Sequence, residues 1–253
     1  MPGLNAPVRH SDCPTLPWSA GQRLASPALR RWVAAGLASA LVLVLALGAW
    51  TWAQAGVVDF SRNLLSWADR QWGPDAPARL LTWQRIVRDS LQAKEAGRME
   101  LTSQLARSND FFNQVPYYSD RQHWGMDDYW ATPVELLGSL GGDCEDYAVA
   151  KYLMLKELGV PIERLRITYV RALRLNEAHM VLAYYPTPDA DPLILDNLNP
   201  VIRPASQRTD LEPVYSFNDD DLWLANGLTR KGGSSQVRLW KDMLAKMARE
   251  QQM

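Results

Sequence analysis

Cysteine is nearly absent from this sequence, with only Cys13 and Cys144 among 253 residues. Cys13 lies in an N-terminal targeting segment, so the rest of the chain has a single thiol and no internal disulfide. Histidine is scarce too. One cysteine and the two histidines outside the leader, His123 and His179, do not show the paired ligand spacing of a zinc site. A dominant charge is also missing, and a net charge of −1 gives no general pull toward nucleic acid. No internal repeat is visible, which excludes a solenoid. What remains is 253 residues, 47% of them hydrophobic, enough for one sizeable domain.

Residues 1–55 read as a leader. The first 29 are rich in Pro and Ser, then Arg30-Arg31 precede an uncharged apolar stretch from Trp32 to Ala53. Its length approaches that of a spanning helix, so a signal anchor is one reading. The other is a cleaved signal peptide, favoured by the small-x-small site Ala53-Gln54-Ala55 before Gly56. Either way residues 56–253 form the expected domain, with a net charge of about −4 once the leader is set aside.

Within that domain the apolar spacing from Val57 to about Ala106 predicts two helices divided by Gly73-Pro74. Residues 108–142 are aromatic and polar, as in the wall or lid of a cleft. A helix apolar on nearly all sides is predicted from Cys144 to Leu158, closed by Gly159 and Pro161. Strands are predicted over 166–173, 179–185 and 193–198. Residues 203–235 read as surface loops around one short helix near 219–225, followed by an amphipathic helix carrying Val237, Trp240, Met243, Leu244 and Met247. A helix followed by a run of strands argues for an α+β fold with an antiparallel sheet.

Cys144 sits in Leu140-Gly-Gly-Asp-Cys-Glu-Asp-Tyr, where a glycine turn enters the apolar helix. The first-turn N–H groups and the helix dipole favour thiolate there. Core cysteines seldom stand between two acids after Gly-Gly, so the placement reads as a nucleophile. Thiol acyl transfer also needs a base and a group that fixes the imidazole tautomer. His179 in Ala-His-Met-Val-Leu and Asp196 in Leu-Ile-Leu-Asp-Asn follow in the order of a Cys, His, Asp triad. His123, in the irregular aromatic segment, reads as a cleft-lining or surface residue.

Asp143, Glu145 and Asp146 oppose the helix dipole, because acids beside a thiol raise its pKa. Two readings of these acids stand at this point. One is N-capping by Asp143 with dipole-favoured acids in the first turn. The other is a hard-cation site suited to Ca²⁺, with Asp143 and Glu145 as ligands and Asp127 or Asp128 from the preceding loop.

Gly142-Asp-Cys-Glu-Asp-Tyr-Ala-Val-Ala-Lys-Tyr, the upstream Trp124-Gly and Asp128-Tyr-Trp-Ala-Thr-Pro, Ala178-His-Met-Val-Leu and Leu195-Asp-Asn closely resemble the bacterial transglutaminase-like cysteine proteinases. The resemblance covers most of residues 57–250 and implies a papain-like, transglutaminase-like α+β fold. It also implies a triad of Cys144, His179 and Asp196, with Ca²⁺ held beside the nucleophile by Asp143 and Glu145. The activity implied is periplasmic cleavage of a large surface adhesin near its N-terminus, at a di-alanine site, which disperses biofilm. The implied partner is an inner-membrane receptor for cyclic diguanylate that sequesters the protease. Two rivals to this reading are a transglutaminase proper, which hands the acyl group to an amine, and a non-catalytic, Ca²⁺-stabilised binding module.

Overall fold

The computed structural model describes Gly56, residues 58–224 and residues 230–253. The leader, with its choice between signal peptide and anchor, lies outside the described residues. Among the described residues no helix is long and apolar enough to cross a membrane.

Helix α1 (Arg62–Trp72) starts at Ser61, whose Oγ accepts from Leu64 N at 3.0 Å, and ends at Gly73 with φ +84°. That left-handed conformation suits only glycine, so the Gly-Pro step both stops α1 and admits α2 (Asp75–Glu95). The two helices expected here are in fact three. Ala96-Gly97, with Gly97 at φ +67°, ends α2, and α3 (Leu101–Phe112) begins anew. The stretch expected to be irregular holds the short α4 (Asp120–His123) and α5 (Pro133–Ser139). The start of α5 is written in the sequence: Thr132 Oγ1 accepts from Glu135 N at 3.1 Å, Glu135 Oε2 accepts from Thr132 N at 2.8 Å, and Pro133 takes the first helical position.

Helix α6 (Cys144–Glu157) matches expectation, and its residues from Asp146 to Leu155 are all buried. A helix apolar on every side must be covered on every side. Leu80, Trp83, Leu105 and Phe112 of the preceding helices and the sheet share one core with it. The sheet comprises β1 (Leu165–Ala172), β2 (Glu177–Tyr184), β3 (Leu193–Leu195), β4 (Arg203–Pro204), β5 (Leu211–Phe217), β6 (Asp221–Leu224) and β7 (Arg230–Gly233), antiparallel throughout, in the order β4-β3-β2-β1-β5-β6-β7. Leu195, Leu182, Ile167 and Phe217 are register partners and form one fully buried row across it.

The loops expected over 203–235 are therefore wrong. That region supplies four strands, and the expected helix near 219–225 is strand β6 as far as Leu224, beyond which five residues lie outside the description. Asp-Leu-Trp-Leu has no clean alternation. Its extended form comes from pairing with Tyr215–Phe217, a contact no local pattern announces. The expected strand over 193–198 stops at Leu195, leaving Asp196 just past its end. A register shift opposite Tyr169 and Val170 marks a bulge in β5, and Tyr169 and Tyr215 stack beside it at 5.1 Å. Helix α7 (Arg238–Gln251) closes the fold, turning Trp240, Met243 and Met247 inward as its spacing predicts.

Candidate active site

The position of Cys144 is set by sterics. Leu140 caps α5 at φ +56°, and two glycines follow with no room for side chains. A Cβ on Gly141 would come within 2.6 Å of the His123 ring, and one on Gly142 within 2.6 Å of Leu136 Cδ1. The chain then enters α6 with Cys144 in the first turn. Asp146 Oδ2 accepts from Asp143 N at 3.2 Å, while its Oδ1 accepts from Ala131 N at 2.7 Å, so one buried carboxylate ties the helix start to the loop before α5.

A cleft of about 780 Å³ opens here. Cys144 and His179 both line it, as do Asp143, Glu145 and Asp128. The Met180 main chain reaches Cys144 from β2. His179, buried in the third position of β2, gives its Nε2 to Asp196 Oδ1 at 2.8 Å. That bond leaves Nδ1 as the ring nitrogen available to a thiol. Asp196 Oδ1 also accepts from Leu198 N at 3.0 Å, and its Oδ2 accepts from Arg208 Nη2 at 2.7 Å. Burial alone would raise the pKa of Asp196, but these bonds from His179 and Arg208 hold it at about 2.

The thiol is treated the opposite way. Cys144 Sγ donates to Glu145 Oε2 at 3.0 Å, and burial, then the Glu145 and Asp143 carboxylates, push its pKa well up. The acids crowd one another too. Burial and Glu145 raise Asp143 to about 9, and Glu145, Asp146 and Asp120 are also shifted upward, burial being the main cause for each. Asp120 was not expected from the sequence. It comes from α4, where its Oδ2 accepts from Tyr129 N at 2.5 Å, and its ligand atoms lie within 4.8 Å of those of Asp128 and Glu145. Asp120, Asp143 and Asp146 form a second such group, and Asp143, Cys144 and Glu145 a third.

Asp120 Oδ1 and Asp143 Oδ1 are buried without a hydrogen-bond partner. Two orphaned carboxylate oxygens inside an all-oxygen set fit a Ca²⁺ ion, which takes six to eight oxygen ligands. The residues suited to hold it are Asp143, Glu145, Asp128 and Asp120. Asp143 stands at the N-cap of α6 as the capping reading has it, but its side chain makes no cap hydrogen bond of its own, and the bond at the helix start is accepted by Asp146. Asp127, the alternative to Asp128, instead pairs with Arg121 at 2.9 Å on the surface.

His123 is engaged elsewhere. Its Nε2 meets Ser139 Oγ at 2.7 Å, its ring stacks on Tyr118, and it does not line the cleft. The aromatic segment lines the cleft only in part, through Tyr117 and Trp130. Trp124 packs on Tyr129, whose hydroxyl donates to Glu135 and whose ring faces Lys246, so those two build the wall from behind.

Residues 86–223 match the family model of the bacterial transglutaminase-like cysteine proteinases. No curated protein matches the chain. Among solved structures, Legionella pneumophila LapG is 41% identical, with a TM-score of 0.64 over 77% of this chain and 97% of that one. An EGTA-treated form of the same protein matches at 41% identity and TM-score 0.64, covering 76% and 98%. A calcium-bound form matches at 42% identity and TM-score 0.62, covering 76% and 99%. With Cys144 at a helix start, His179 paired to Asp196, and a family match over more than half of its length, the chain belongs to the bacterial transglutaminase-like cysteine proteinases.

Proposed function

We propose that this cysteine protease is a Ca²⁺-dependent periplasmic endopeptidase that cuts a large surface adhesin in its N-terminal region, at a di-alanine site, and so disperses biofilm. Cys144 is the nucleophile, His179 the base and Asp196 the group that fixes the imidazole tautomer. The observation that carries the assignment is the 2.8 Å bond from His179 Nε2 to Asp196, which leaves Nδ1 for the thiol in a shared cleft. Nδ1 takes the thiol proton as sulfur attacks the scissile carbonyl, and the first-turn N–H groups of α6 receive the developing oxyanion. The imidazolium then protonates the leaving amine. Water hydrolyses the thioester with His179 again as base. A bound Ca²⁺ would supply positive charge that offsets the acids raising the thiol pKa.

Control by an inner-membrane cyclic-diguanylate receptor of the LapD type, which withholds the protease from its substrate, is part of this reading and rests on the family resemblance. So does the periplasmic location, to which the leader sequence adds support. The test is incubation of an N-terminal adhesin fragment with the protein and with Cys144→Ala, in Ca²⁺, with and without an added primary amine. One cut at the alanine pair, made by the parent protein and not by the variant, supports the reading. Amine incorporation in place of hydrolysis would make the protein a transglutaminase, and no reaction at all would leave a binding module.

A further inference from the structure

Behind the triad lies a second layer of charge that does not line the cleft. Arg208 follows the short 3-10 turn Ala205–Gln207, and its side chain is only 2% exposed. A guanidinium is rarely buried so deeply unless its partners require it there. Its Nη2 bridges two carboxylates, Asp196 Oδ2 at 2.7 Å and Asp210 Oδ2 at 2.9 Å, while Nε reaches Asp210 Oδ1 at 3.0 Å. The fork is thus closed on Asp210, and one N–H of the same nitrogen is aimed at the triad carboxylate.

The backbone around it is pinned on both sides. Arg208 N donates to Ala205 O, Leu211 N donates to Arg208 O, and Leu173 N at the end of β1 donates to Asp210 O at 2.8 Å. Asp196 is fixed as firmly, since its carbonyl accepts from Asn113 Nδ2 at 2.9 Å. Its two carboxylate oxygens therefore have separate duties: Oδ1 receives the imidazole and the Leu198 N–H, and Oδ2 is held by Arg208. A carboxylate held at only one oxygen turns about its Cβ–Cγ bond and takes the imidazole with it.

We propose that Arg208 is a positioning residue for the reaction, locked by Asp210 so that Asp196 presents Oδ1 to His179 in one orientation. The arrangement is an Asp–Arg–Asp–His chain running from the partly exposed Asp210 to His179, which lines the same cleft as Cys144. This rests on the triad assignment above, and the test is chosen so that the two fail differently.

The readout needs no protein substrate. The full chain, with Ca²⁺ in every arm, is treated with iodoacetamide at neutral pH, and alkylation of the Cys144 peptide is followed by mass spectrometry. Arg208→Met should react about tenfold more slowly than the parent, in the range expected when a residue supporting an active-site ligand is removed. Asp196→Asn and His179→Ala should be slower as well, and Arg208→Lys, which keeps the charge without the fork, should fall between Met and the parent. Proton NMR supplies a sign that a merely structural ion pair would not move: the downfield His179 Nε2–H resonance should broaden or shift in Arg208→Met. Parent-like alkylation and an unchanged resonance in Arg208→Met, with His179→Ala and Asp196→Asn slow, would overturn the role of Arg208 and leave the triad standing. Parent-like alkylation in His179→Ala would overturn the triad itself. Should Arg208→Met melt too early to assay, Asp210→Asn decides, because it unlocks the fork from a side chain that is 30% exposed; slowed alkylation supports the proposal and the parent rate refutes it.

Discussion

Asp143 and Asp196 are the same side chain, both buried, both serving one reaction centre, and they are pushed in opposite directions. Asp143 is raised to about 9 because burial is compounded by Glu145 beside it. Asp196 is held at about 2 because His179 and Arg208 more than repay the same burial. Depth does not decide the charge of a carboxylate; its partners do. One end of the site supplies its own cations. The other presents acids alone, with two oxygens unpaired, and fits an added cation.

The largest effect is expected at Cys144. Cys144→Ala should abolish adhesin-fragment cleavage, a loss of about 10⁴-fold or more, with the melting temperature unchanged; His179→Ala should match it. Cleavage surviving in Cys144→Ala would move the nucleophile elsewhere.

The acid-only end is sharpened by removing the ion. EGTA should lower cleavage at least about tenfold, and at Ca²⁺ near a hundred times its Kd the regained melting temperature should be about 5–10 °C. Excess Ca²⁺ should restore both, and Mg²⁺ should do so poorly because of its octahedral demand. Asp120→Asn should weaken Ca²⁺ binding in calorimetric titration as Asp143→Ala does. An unchanged affinity would remove Asp120 from the ligand set.

The cation-supplied end is sharpened by acid. Asp196 has a folded pKa below its unfolded one, so its contribution is fully present above about pH 4 and is lost as pH falls toward 2. That contribution is about 2 kcal/mol. Denaturant melts of Asp196→Asn should therefore show a smaller loss of stability between pH 4 and pH 2 than the parent, and an equal loss would contradict the assigned partners. The smallest effect is expected at His123. His123→Ala removes a ring bonded to Ser139 and should cut activity by no more than a few-fold, whereas a dead variant would reopen the choice of base.

What the sequence made legible follows the same divide. Cys144 and the acids beside it were readable because the glycine turn, the helix start and the charges are adjacent in the chain, where local sterics and the helix dipole act. His179 and Asp196 were readable as residues, from strand-like surroundings and order. Asp120 was not, because nothing in Ser-Asp-Arg-Gln marks one acid as turned toward a helix start farther along. Arg208 was invisible for a related reason: it lies in a region read as loop, whose strands exist only through pairing with β1 and with each other. The missed helix α5 is different, since its capping box and first-position proline stood in the sequence beneath a run of aromatics.

The C-terminal helix carries a consequence for the order in which the enzyme is made. Lys246 of α7 donates to Trp130 O and to Glu135 Oε2, each at 2.7 Å, and Glu250 accepts from Thr132 Oγ1 at 2.7 Å. These bonds clasp the segment that joins the Asp120–Asp128 loop to α5, yet Lys246 leaves the ribosome about a hundred residues after Asp146. A nascent chain that already holds Cys144, His179 and Asp196 therefore still lacks the clasp on its acid loop until α7 has been made and has packed.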